Sequence, residues 1–228
     1  MRRRSALAVA GLALVLAGCS GAEEAPTTSP AERLAAAKAA FDAAGTVALD
    51  LTSRDVPPRE NGVTAAKGSG VIDATEPKFQ GTITGTIEGV AGTVDLICIG
   101  ETAYMKFFTP GYVETDLATL DAPNPALFFD PVKGISSLLT EATATTDAGQ
   151  TRAGREVLDK VDGTLAGQRV EDLFHLGDGT GTFTVSFGLT AQGQLRTASL
   201  KGPFFPGTTA TYVLTLSDYG KPVEVTRP

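Results

Sequence analysis

Tryptophan is absent from this 228-residue chain, histidine occurs once, cysteine and methionine twice each, and tyrosine four times. Each scarcity removes a class of function. With no Trp and little Tyr, the chain has few of the aromatic side chains that usually grip sugar rings, and a dedicated glycan-binding surface is not expected. The lone His175, in Glu171-Asp172-Leu173-Phe174-His175-Leu176, has no second imidazole or thiolate at metal-site spacing, so no metal ligand is assigned and it is given a structural or surface role. Two cysteines do not make a disulfide framework. No G-x-S-x-G nucleophile elbow occurs, and the acids are scattered with nothing to single out a pair. Gly177-Asp178-Gly179-Thr180-Gly181 lacks the Lys-Ser/Thr ending of a phosphate loop and runs into a strand, so it is read as a plain loop. No catalytic residue and no cofactor is expected, and the chain is not read as an enzyme.

What is present begins with Arg2, Arg3 and Arg4, followed by an unbroken stretch of Ala, Val, Leu and Gly from Ala6 to Ala17. These are the basic and apolar regions of a secretory signal, too short for a bilayer span of roughly 20 residues. Leu16-Ala17-Gly18-Cys19 resembles the lipobox of bacterial lipoproteins, in which the chain is cut before the cysteine and the cysteine carries the lipid. Cys19 is therefore expected to be a lipid anchor of the palmitate type. Cys98, in the apolar run Val94-Asp95-Leu96-Ile97-Cys98-Ile99, is then left without a partner and reads as a small hydrophobe on a buried strand. Three parts follow: a lipoprotein signal peptide at 1–18, a lipidated tether at 19–29, and a single domain at 30–228. The net charge of −7 falls to about −10 once the three arginines leave with the signal. An acidic body is a poor nucleic-acid binder and is not drawn to anionic lipid, so attachment to the membrane rests on Cys19.

The tether, Ser20–Ser29, is small, polar and Pro-containing and buries nothing; glycosylation at Thr27 and Thr28 is the alternative use of a segment otherwise read as solvated. Ser29-Pro30-Ala31-Glu32 has the spacing of a capping box with Pro at the first helical position. It opens a helix with Leu34, Ala37, Phe41 and Ala44 on one face that stops at Gly45. Alternation then predicts strands, the first around Val47-Leu49-Leu51, and others at about 68–75, 78–88, 92–100, 102–108, 111–115, 154–162, 181–190, 194–201, 209–217 and 221–226. Short turns such as Ala191–Gln194 make the connections hairpins and the sheet antiparallel. Residues 54–67 read as a loop, and 116–150 as a helical interruption with a turn at Asn124-Pro125 and a helix from Ile135 to Thr143; a shorter helix is placed at 170–176. Helices beside an antiparallel sheet make the class α+β.

In Phe79-Gln80-Gly81-Thr82-Ile83-Thr84-Gly85-Thr86-Ile87 one face alternates large residues with glycines, and the other is polar. The glycines leave gaps. Either the concave side of a curved sheet holds something apolar there, or the gaps admit other side chains and relieve twist. Phe183, Val185, Phe187 and Leu189 form a second, ungapped apolar face.

Phe79–Gly89, Ile97–Gly100 with Ala103–Lys106, Asn124-Pro125-Ala126, Asp130-Pro131, Gly134–Leu139, Gly154-Arg155, Leu195–Ala198, Gly202–Phe205 and Tyr212–Gly220 follow one another in an order that resembles the mycobacterial lipoprotein family of LppX, LprA, LprF and LprG. The stretch Gln168–Gly181 departs from the family pattern. The resemblance implies an α+β fold, a curved antiparallel half-barrel packed around helices with a large apolar cavity. It also implies binding of multi-acylated lipids or glycolipids and their carriage toward the outer envelope, without catalysis. Ile83 corresponds to a cavity-mouth position; Phe79, Ile87, Leu96, Phe128, Phe129, Leu138, Leu139, Val185 and Phe187 are the lining candidates from alternation. The expected partners are an acylated lipid or glycolipid, the cell membrane through acylated Cys19 on the extracytoplasmic face, and an envelope lipid exporter, for a monomeric actinobacterial protein. A gate is expected in loop 53–67 or 116–134. The competing expectation is a non-catalytic scaffold or signalling lipoprotein that binds a protein partner.

Overall fold

A computed structural model describes residues 28–228 apart from Arg59 and Glu88; the signal, Cys19 and most of the tether lie outside the described residues. α1 (Pro30–Asp42) starts as its sequence dictates. The Ser29 amide donates to Glu32 Oε2 at 2.8 Å, and the Glu32 amide donates to Ser29 Oγ at 3.3 Å. Leu34, Ala37 and Phe41 are buried.

Eleven strands then form one antiparallel sheet: β1 (Thr46–Arg54), β2 (Gly62–Val71), β3 (Lys78–Ile87), β4 (Val90–Ile99), β5 (Thr102–Lys106), β6 (Val113–Thr115), β7 (Thr143–Ala153), β8 (Glu156–Ala166), β9 (Thr182–Leu189), β10 (Leu195–Phe205) and β11 (Thr208–Ser217). The spatial order is β6-β5-β4-β3-β2-β1-β11-β10-β9-β8-β7. Two meanders are joined where the first strand pairs with the last, Leu49 opposite Leu216 and Thr52 opposite Val213. β6 and β7 are the free edges, so the sheet is an open half-barrel, as expected. Between them in sequence run three single-turn 3-10 segments (Leu117–Leu120, Pro125–Phe129, Ile135–Ser137) and α2 (Leu138–Glu141); α3 (Gly167–Phe174) links β8 to β9.

Several expected elements are corrected. β2 begins at Gly62, because Gly62 and Val63 pair with β3, and Ala65 and Ala66 with both β1 and β3, even though only a weak pattern marks the stretch. The helix expected over 135–143 is a 3-10 turn plus four α-helical residues. Residues 143–150, read as part of the helical interruption, lie in β7, an edge strand whose polar side chains carry no alternation. No strand forms at 221–226; that tail is irregular, and Val225 packs on Ile97 and Ile99. α3 begins three residues and ends two residues earlier than expected.

One continuous apolar cluster fills the concave side, drawing on α1, both meanders and the 3-10 segments. Phe183, Val185, Phe187 and Leu189 are all buried in it, as their alternation predicts. Cys98 is fully buried on β4, and burial pushes its thiol up to about 12, so it stays a neutral hydrophobe.

Candidate functional site

The concave face and the segment 117–141 that closes it make the candidate site. Phe79, Leu96, Phe129, Leu138, Leu139, Val185 and Phe187 all join the central cluster, and the half-buried Ile83 and Phe128 pack against it. Ile87 is the last residue of β3. Cys19 lies outside the described residues.

The glycine gaps of the sheet are filled by aromatic rings. Gly68 and Gly81 face each other across β2 and β3, and a methyl group on either would stand 2.6 or 2.7 Å from the ring of Phe79. Gly70 is covered by Phe129, whose ring would come within 2.3 Å of such a methyl. Phe129 in turn stacks on Phe79, with centroids 6.2 Å apart and planes 15° from parallel. At Gly85 the backbone of Gly62 closes in beside a bulge. Of the two readings of this strand, the structure has the one in which its gaps admit side chains.

The closing segment is short of regular structure and is held by a few side chains. Pro125–Phe129 packs on β2, β3 and β4, and Ile135–Ser137 with α2 packs on α1. Asn124 caps its own turn through the Ala126 amide and donates from Nδ2 to the Gly100 carbonyl at 2.9 Å, which fastens the segment to the β4–β5 turn. Lys38 on α1 donates to the Pro131 carbonyl at 2.6 Å, and Ser136 Oγ donates to Asp42 Oδ1 at 2.7 Å. Arg169 on α3 pairs with Glu141 and donates to the Lys133 carbonyl and, at 2.7 Å, to Ser137 Oγ. Phe128 meets Phe174 of α3 at 5.6 Å. Lys38, Asp42, Asn124 and Arg169 were not singled out from the sequence as site residues. Of these, only Asn124, before a proline, carried a visible signal.

Recesses open on the surface of the described residues. One, of about 670 Å³, runs along the closing segment and is lined by Asn124, Leu127, Asp130, Glu141, Arg169 and His175 among others. Another, of about 320 Å³, involves Lys160, Ser186 and Thr197 of the second meander. Both present polar and apolar surface in near-equal measure, and the apolar interior itself is occupied by the protein's own rings and aliphatic chains. His175 ends α3 in the left-handed conformation, with Nδ1 4.0 Å from Asp121 Oδ1, in the surface role expected of it. Among the described residues there is no cluster of three metal-ligating side chains, and no helix is long and apolar enough to cross a membrane.

An open antiparallel sheet with an apolar concave face, closed by short helical turns between its two meanders, defines a class of α+β half-barrel. Within it the family can be named: the profile of the LppX_LprAFG lipoprotein family matches residues 29–225, and the chain belongs to that family. LprF from Mycobacterium bovis superposes with a TM-score of 0.74 at 15% identity, over 88% of this chain and 99% of that one. LppX from Mycobacterium tuberculosis gives 0.63 at 16% identity, over 86% and 97%. Among curated protein sequences none matches this one.

Proposed function

We propose that this lipoprotein, held on the extracytoplasmic face of the membrane by acyl chains on Cys19, binds multi-acylated lipids or glycolipids against the concave face of its sheet and carries them across the envelope. The observation that carries the reading is the closing segment. The apolar interior of an eleven-stranded sheet is covered by turns of three to five residues, tied to the rest of the fold through side chains of Lys38, Asp42, Asn124 and Arg169. Such a cover can swing out as a unit and leave a wide apolar surface behind it. Each acyl methylene taken from water contributes about 0.8 kcal/mol, so two or three chains offset the loss of the ties and of the Phe128 and Phe129 contacts. The sheet would supply the walls, and the chains would replace the rings that now fill it. Family membership supports the same reading.

The test is native mass spectrometry with lipid extraction on the chain without its signal and with Cys19→Ser, so that no acyl group is covalently attached, purified from an actinobacterial host. A stoichiometric acylated species is expected, and it should be lost in Ile83→Trp, which fills the half-buried position on β3. The filled interior supports a second reading, a scaffold or signalling lipoprotein that binds a protein partner. A mass that stays clean after incubation with diacyl and triacyl glycolipids would move the assignment there. The anchor has its own test: Cys19→Ser is expected to move the protein from the membrane pellet to the soluble fraction of disrupted cells, and an unchanged distribution would refute lipidation as the means of attachment.

A further inference from the structure

Phe108 is the most exposed large apolar side chain among the described residues, at 92% of its full area. It also sits at φ +54, a left-handed conformation that a bulky aromatic rarely adopts. Water exposure and backbone strain both oppose this placement, and such a coincidence points to use. The neighbouring structure presents the ring firmly. Phe107, next to it, lies against Gly92 of β4, where a methyl group would stand 2.8 Å from its ring. The two phenyl rings touch, with centroids 4.2 Å apart. Thr109 Oγ1 donates to the Gly111 carbonyl at 2.7 Å and tightens the turn. Val113, 54% exposed, follows in β6, and Val90, 57% exposed, lies at the same end of the sheet at the start of β4. From Phe107 to Val113 no residue is charged, in a chain of net charge −7.

The position of the tether says what covers this tip. β5 ends at Lys106, so the loop projects from the end of the sheet where β1 finishes, while α1 ends near the start of β1. Near the N-terminus of α1, Arg33 pairs with Asp147 at the middle of β7, opposite the central Val161 of β8, so the tether leaves the domain from mid-sheet, away from the start of β1. Cys19 is nine residues before Thr28, a reach of at most about 30 Å. A bilayer holding acyl chains on Cys19 lies within that reach of the domain.

We infer that the Phe107–Val113 loop is a second membrane contact, in which Phe108 enters the interfacial layer of the bilayer and sets which end of the half-barrel faces it. This rests on the lipid-anchored reading above. Insertion is apolar and needs no anionic lipid, in keeping with the acidic body.

The chain's lack of tryptophan makes the test clean. The mature chain from residue 19, carrying Cys19→Ser to remove the acyl group and Phe108→Trp as its sole indole, is mixed with phosphatidylcholine vesicles. A blue-shifted emission quenched by brominated acyl chains is expected. In the parallel flotation assay Phe108→Asp should bind about tenfold more weakly or worse, the effect of withdrawing one aromatic side chain from apolar surroundings. An emission spectrum unmoved by vesicles overturns the inference, as does a shift that requires phosphatidylglycerol. A shift that grows with protein concentration in the absence of vesicles assigns the loop to a second copy instead. Native mass spectrometry of the same Cys19→Ser, Phe108→Trp chain separates the two readings: retained cargo with an emission unmoved by vesicles sinks only the loop assignment, and insertion without cargo sinks only the carrier.

Discussion

Phe129→Ala is expected to lower the free energy of unfolding by about 3–5 kcal/mol, the range for removing a buried aromatic ring. The ring comes from a five-residue 3-10 turn, is fully buried, covers Gly70 and stacks on Phe79. Its loss removes the closing segment's main hold on β2 and β3 together. The partner substitution acts from the other side. Gly70→Val places a branched side chain where the ring now stands, an overpacking that should cost about 1–3 kcal/mol. Together the two should cost less than their sum, by about 1–3 kcal/mol, because valine occupies part of the space the ring vacates. Urea midpoints of the two single variants and the double variant, followed by circular dichroism, measure this coupling. Strict additivity would mean that Phe129 does not seat on Gly70.

Arg169→Met should release the other end of the closing segment with little change in the sheet. Methionine keeps the aliphatic packing of the arginine stem and removes the guanidinium that joins α3 to Glu141, Ser137 and the Lys133 carbonyl. Bonds to a charged donor are individually worth about 1.5–3 kcal/mol. Glu141 is partly exposed, at 41% of its side-chain area, so a net loss of about 2 kcal/mol for the whole tie is the sensible expectation. Local opening then becomes about thirtyfold more frequent, since each 1.4 kcal/mol is a factor of ten. Hydrogen exchange should rise in residues 131–141 and stay unchanged in β9 and β10. Uniform acceleration across the sheet would show that Arg169 supports global stability and is no local latch. Under the carrier reading the same variant should also exchange bound lipid faster.

The legible parts of the molecule are those whose partners are close in sequence or repeat with the strand period. The Ser29–Glu32 cap, the α1 stripe Leu34-Ala37-Phe41 and the alternation from Phe183 to Leu189 each act within a few residues, and each stands as expected. β7 was hidden because a strand with one free edge and two wet faces needs no apolar alternation. The start of β2 was hidden because Ala65 and Ala66 are small and Asn61-Gly62 reads as a turn. The site was half legible. Glycines on an apolar face reveal a gap, but the pattern does not say what fills it: Phe129 reaches Gly70 from 59 positions away, and only the fold brings them together. The latch on α3 lies outside the motifs on which the resemblance was read, so resemblance gave no pointer to it.

The pairing of β1 with β11 bears on how the protein is made. Under the lipoprotein reading proposed above the chain is exported N-terminus first, and β1 would reach the far side with one edge bare until residue 217 has followed. The middle of the sheet is thus its last seam to be sewn. Until then the β1–β6 meander presents an unpaired, apolar-backed strand, the kind of edge that recruits other chains. For this fold the hazardous interval is the passage of the second half of the polypeptide, and assistance during export would be needed at the centre of the sheet rather than at its rims.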